Sequence, residues 1–143
     1  MSQVMLSVPA DALHAMREHA LVKYPYESCG LLVGNREANT VVRFVPCTNI
    51  AESARVYTID PKEHLRTELA AEDDGLEVVG VVHSHTHSEA YPSPTDVAQA
   101  PDPGWHYVIV TLKREVPETR SFLIDATAEE GSQIVEEDIA QLV

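Results

Sequence analysis

Apolar positions recur along this chain at two different periods, and the switches between them mark its elements. Leu13, Met16 and Ala20 repeat at helical spacing behind Pro9, a residue the first turn of a helix tolerates. A helix is therefore predicted over 9–23, ending before Tyr24-Pro25. Ser28 to Val33 (SCGLLV) and Thr40 to Cys47 (TVVRFVPC) read as strands, with Asn35-Arg36-Glu37 in the turn between them. Arg55 to Ile59 (RVYTI) reads as one more short strand. Asp60-Pro61-Lys62-Glu63 opens a helix with an N-cap acid, proline at the first position and Glu three residues after the cap. That helix is expected to reach about Asp73, with Gly75 ending it.

Leu76 to Val82 (LEVVGVV) has the continuous apolar pattern of a buried strand and runs straight into His-Ser-His. Ser93-Pro94-Thr95-Asp96 opens a short helix that stops by Pro101. Trp105 to Leu112 (WHYVIVTL) and Arg120 to Ala126 (RSFLIDA) form a hairpin-like pair, and the tail from Thr127 is acidic and weakly patterned. Strands interspersed with three helices predict an α/β or α+β class, a mixed β-sheet flanked by helices. The pattern leaves strand order open.

Composition narrows the function classes. With 143 residues, no internal repeat and no linker, the expectation is one domain over 1–143. No stretch approaches the ~20 apolar residues of a membrane span, and the first residues lack the basic and apolar regions of a signal peptide. Two cysteines, Cys29 and Cys47, are too few for a disulfide framework and fit a reducing compartment, so cytoplasmic is the default expectation. Ten Lys and Arg against 23 Asp and Glu give −13, which disfavours nucleic acid and anionic membrane as partners. The imbalance is local: residues 1–66 hold seven acids and seven bases, whereas 67–143 hold sixteen acids and three bases. No cation stands between Arg66 and Lys113.

The candidate chemistry lies inside that cation-free stretch. At the end of an extended run, His83 and His85 are two residues apart and present both imidazoles to one side. Asp96 is the nearest acid with a defined setting, at a helix start. Two His and one Asp with a fourth position open describe a hydrolytic zinc site. The Ser93-x-x-Asp96 spacing is equally that of a helix N-cap with an acid in the first turn. On the residues alone, a metal site and surface histidines both remain open.

His83-x-His85, seven residues, Ser93, two residues and Asp96 resemble the full signature of the JAMM (MPN-plus) zinc metallopeptidases. Sliding the frame to His85 and His87 places Thr95 and Ala98 at the last positions, so only one frame fits. Tyr26-Glu27-Ser28-Cys29-Gly30-Leu31-Leu32 is similar to the family's acid-before-strand element, and the order of elements matches from about Leu6 to Asp125. The run HSHT..EAYPSPTD is especially similar to small stand-alone bacterial members, which release an amine such as cysteine from the C-terminal glycine of a ubiquitin-like sulfur-carrier protein. Thr86 stands where many eukaryotic members have proline, and 143 residues leave little room for their ubiquitin-chain insertions. Both features fit the minimal prokaryotic type and not polyubiquitin processing.

The resemblance implies an MPN/JAMM (cytidine deaminase-like) domain that binds zinc (Zn2+) through His83, His85 and Asp96. It implies that Glu27 takes the proton of the zinc-bound water and returns it to the leaving amine, and that Ser93 donates to the oxyanion. It implies a ubiquitin-like sulfur carrier as substrate. Composition by itself does not single out Glu27 among fifteen glutamates, and Glu89, inside the motif loop, is the more obvious acid. A non-catalytic MPN-like interaction module is the second class to weigh; such relatives usually lack the ligands. A zinc deaminase is rejected, because His-x-Glu with a downstream Pro-Cys-x-x-Cys does not occur. His87 reads as an exposed loop residue, Cys29 as a small buried strand residue and His106 as a strand residue without a role. Tyr57-Thr58-Ile59 resembles the strand along which family members lay the substrate's tail.

Overall fold

The protein is described by a computed structural model over residues 5–143; residues 1–4, which open the segment read as lacking a leader, lie outside the described residues. In chain order the elements are β1 (Met5–Pro9), α1 (Ala10–Lys23), β2 (Cys29–Asn35), β3 (Thr40–Cys47) and α2 (Pro61–Asp73). They continue as β4 (Glu77–His85), α3 (Pro94–Ala98), β5 (His106–Thr111), β6 (Glu118–Ile124) and β7 (Ile134–Leu142). The strands lie in the order β1-β3-β2-β4-β5-β6-β7, and the row closes into a barrel because β1 pairs parallel with both β3 and β7. β4 and β5 are parallel and the remaining neighbours antiparallel, so the sheet is mixed and the class α+β, as the pattern predicts.

Local chemistry accounts for the helix ends. The Asp60 carboxylate accepts the Lys62 backbone N–H at 2.9 Å while Pro61 occupies the first helical position of α2. Gly75, at φ +71°, turns the chain out of that helix in a conformation that favours glycine. Pro9 ends β1 and caps α1 instead of lying within its first turn.

β4 is covered on both sides, which explains its unbroken apolar run. Val79 and Val82 pack with α1 residues Leu13 and Met16, whereas Val78 and Val81 pack with Leu31, Ile109, Phe122 and Ala71 of α2. Gly80 lets β4 and β5 approach closely, since a Cβ there would sit 2.2 Å from the His106 carbonyl oxygen.

Three readings are corrected. Arg55 to Ile59 is not a strand: only Ile59 makes an isolated bridge, to Asn49. The Asn49 side chain replaces a ladder there, accepting the Thr58 and Ala51 N–H groups and donating to the Val56 and Glu27 carbonyls. β1 went unread because its five residues abut the helix without a turn. The acidic tail contains β7, which pairs with β6 on one side and β1 on the other.

β7 is disguised by an acid at a core position. Glu137 is buried and accepts hydrogen bonds from His106 of β5 and the Ser121 hydroxyl of β6 at 2.8 Å. Both contacts fall on Oε2 while Oε1 is buried without a partner, and removing the acid orphans two buried groups. Glu137→Ala is expected to cost about 3 kcal/mol in urea unfolding. Glu137→Gln, which keeps a carbonyl acceptor, should cost clearly less.

Candidate functional site

The site forms where β4 runs out. Val81, His83 and His85 stand at every second position and share a face of the sheet. His83 lies opposite Cys29 of β2 and Ile109 of β5, so both flanking strands hold the imidazole-bearing backbone. The Tyr57 ring stacks on the His83 ring, centroids 4.5 Å apart and planes 19° from parallel. Asp96 arrives from α3, whose first turn is a capping box: the Ser93 hydroxyl accepts the Asp96 N–H at 3.0 Å, and Asp96 Oδ2 accepts the Ser93 N–H at 2.9 Å.

Three donor atoms meet there. His83 Nε2 and His85 Nε2 are 3.1 Å apart, and they lie 3.3 and 3.1 Å from Asp96 Oδ2. Neighbouring donors of a tetrahedral ion with ~2.0–2.1 Å bonds are separated by about 3.3 Å, so the triangle fits one face of such a tetrahedron. His85 Nδ1 donates to the Glu89 carbonyl at 2.7 Å, which in the neutral ring leaves the lone pair on Nε2, facing Asp96 Oδ2. A cation among the three atoms relieves that opposition. Among the described residues these three form the one cluster of His, Cys, Asp and Glu able to hold a metal ion.

Around the Asp96 anion the two imidazoles are shifted in opposite directions. Burial holds His83 below its ordinary value despite its hydrogen bond to Asp96. Burial opposes ionisation of Asp96 too, but the His83 and His85 rings and the Ser93 N–H beside it keep its carboxyl well below the usual range. At His85 the pull of Asp96 and the Glu89 carbonyl outweighs burial, and its value is raised.

Glu27 and Ser93 line the same cavity as His85, a space of about 500 Å³ that Arg55, Thr86 and His87 also border. Glu27 lies just ahead of β2, its backbone N–H donating to Ser53 O at 2.8 Å and its carbonyl accepting from Asn49. The next residue is tied to β4, where Ser84 Oγ accepts the Ser28 N–H at 2.7 Å. Glu27 is 4% exposed, and its Oε1 has no hydrogen-bond partner. Burial pushes its pKa up to about 8, with His85 lowering it and Asp96 raising it.

The remaining candidates fall into place. His87 is exposed, with Thr86 and Tyr24 against its ring. Cys29 is a buried strand residue whose thiol burial pushes up to about 12, unsuited to nucleophilic work. His106 serves the Glu137 cluster. The Glu89 side chain is held by Lys113 and Arg114 instead of facing the donors. Sequence reasoning missed the stacking of Tyr57 on His83 and the anchoring by Asn49 and Ser84; only the serine's place between the two histidines hinted at it. A second cavity of about 510 Å³, between α1, β3 and α2, is lined by Lys23, Arg43, Arg66 and Glu63 and holds none of these groups.

A closed mixed sheet with two histidines at one strand end and an aspartate on the following helix defines a JAB/MPN-type domain. Residues 9–125 match the prokaryotic homologs of the JAB domain, and the chain belongs to that family. It is 39% identical over 136 residues to the CysO-cysteine peptidase of Mycobacterium tuberculosis, covering 93% of each chain. It is 40% identical over 114 residues to the desampylase of Haloferax volcanii, covering 76% of this chain and 82% of that one. The solution structure of a Desulfitobacterium hafniense protein superimposes with a TM-score of 0.84 at 30% identity, covering 97% of this chain and 93% of that one.

The buried Glu27 carboxyl makes a stability prediction with a definite sign. Its folded pKa of about 8 stands above the ordinary 4.5, so the folded chain retains a proton that the unfolded chain gives up. The associated stability is complete below pH 4.5 and is lost as pH rises through 8. In metal-stripped protein, Glu27→Gln is expected to raise the thermal midpoint by several degrees at pH 8 and to change it little at pH 4.5. Equal midpoints at both pH values would contradict the burial argument.

Proposed function

We propose that the protein is a zinc-dependent peptidase or isopeptidase that hydrolyses the amide bond at the C-terminal glycine of a ubiquitin-like sulfur-carrier protein, releasing an amine such as cysteine. The coarse class follows from its relatives, a peptidase and a desampylase among them: the chain is a hydrolase of peptide or isopeptide bonds. The observation that carries the finer reading is the placement of Glu27, His85 and Ser93 around one cavity, with His85 also a corner of the His83–His85–Asp96 triangle.

His83, His85 and Asp96 would hold the zinc, leaving the fourth position open. When bound, the ion supplies a Lewis acid for the scissile carbonyl and lowers the pKa of a water to ~7. Glu27 is the base suited to this chemistry: with the cation bound, its carboxylate would accept the proton of the attacking water and pass it to the leaving nitrogen, burial having raised its basicity. Ser93 Oγ already accepts the Asp96 N–H, so its own proton is free to donate to the developing oxyanion. The Tyr57 ring steadies His83 by stacking on it, and the chain beside it has its backbone groups satisfied by Asn49. Two buried free thiols suit a reducing compartment such as the cytoplasm.

Intact mass tests the reading. A ubiquitin-like carrier extended by C-terminal cysteine should lose one residue when incubated with zinc-loaded protein. Glu27→Gln should retain its zinc but cleave about 10²–10⁴-fold more slowly. Undiminished cleavage by that variant, or carriers left intact by the native protein, would refute it.

A further inference from the structure

Glu89 is the acid that the motif loop displays most openly, and the catalytic reading leaves it without work. The stretch from Thr67 to Leu112 has no Lys or Arg, and the first two cations after it both close on this one side chain. Arg114 grips the Glu89 carboxylate with both arms, Nη1 to Oε1 at 2.8 Å and Nη2 to Oε2 at 2.6 Å, and Lys113 Nζ donates to Oε2 at 3.1 Å. These hydrogen bonds, with the two positive charges, hold the Glu89 carboxyl down at about 2.

The backbone of the same residue touches the donor triangle. The Glu89 carbonyl is the acceptor for His85 Nδ1–H at 2.7 Å, and the Tyr91 N–H donates to it at 2.8 Å. The loop is laced to the end of β5 nearby: the Leu112 N–H donates to the His85 carbonyl at 2.9 Å, and the Thr111 hydroxyl donates to the Ser88 carbonyl. His83 has no equivalent support, since its Nδ1 is buried without a partner. Of the two histidines, only His85 has its tautomer set by a hydrogen bond on the far nitrogen, and that acceptor belongs to the clamped residue.

We infer that Lys113 and Arg114 are positioning residues for the metal centre: by clamping the Glu89 side chain they hold the Glu89 carbonyl where it orients His85. This rests on the metal site proposed above. An isolated exposed ion pair is worth little, but a bidentate arginine joined by a lysine is the networked geometry in which such pairs matter. The loop between His85 and Asp96 carries only neutral residues apart from Glu89 and His87, so the clamp is its single ionic tie to the barrel among the described residues.

The test is the rate at which a chelator strips zinc from the intact protein. Loss of the carbonyl's placement should act as a supporting-shell defect: Lys113→Gln with Arg114→Gln is expected to lose zinc about 10-fold faster than native. Screening should do the same to the native protein, so 1 M salt should accelerate its zinc loss and leave the double variant unaffected. The exchanged pair Glu89→Arg with Arg114→Glu should recover most of the native rate, which a general loosening of the fold would not permit. Native-like zinc retention in the double variant overturns the clamp. Failure of the exchanged pair to recover, with thermal midpoints unchanged, overturns it as well. A native protein that takes up no zinc overturns the site itself, a different failure.

Discussion

Three polar side-chain atoms held 3.1–3.3 Å apart at a buried strand end are the constraint around which this molecule is arranged. Such atoms repel one another unless protons or a cation lie among them, and no free loop would hold them so. The chain resists by locking each on a different support. β4, paired on both edges and covered on both faces, fixes the two histidines. The capping box of α3 fixes Asp96, using the same carboxylate oxygen to accept the Ser93 N–H and to face the imidazoles.

That double use bears on both readings of the Ser93-x-x-Asp96 spacing. A helix cap and a metal-ligand role are compatible here, because the carboxylate oxygen that closes the cap also faces the two imidazoles. Ser93 is likewise engaged as an acceptor in the cap while its hydroxyl proton stays available. Glu27 shows the opposite treatment: it is buried without a partner at Oε1, a local instability. The surrounding ties, Asn49 to its carbonyl and Ser84 to the next N–H, offset that instability and keep the acid in place.

Charge is distributed to the same end. The acid excess beyond residue 66 leaves the donor-bearing stretch free of cations that would repel a dication. The positive groups that follow it, Lys113 and Arg114, are engaged by Glu89 at the outer side of the loop. Arg120 pairs with Glu136 across β6 and β7. In the first half the cations Lys23, Arg43 and Arg66 instead border a cavity between the two long helices.

Much of this was already determined by order along the chain. The helices at 10–23 and 61–73, the central strands and the His-x-His at a strand end follow from local periodicity and caps, which neighbours in sequence decide. The family signature likewise depends only on spacing. Closure of the barrel did not follow, since β7 hides its strand character behind a buried Glu137 whose partners, His106 and Ser121, are distant in sequence. The supposed strand at 55–59 failed for a related reason: one asparagine side chain satisfies its backbone in place of a neighbouring strand. The sequence by itself determined which residues could bind and react. Only the tertiary structure decided that they meet, because bringing Glu27, His85 and Ser93 to one cavity takes pairing between β2 and β4 and a turn of α3, contacts that no local pattern encodes.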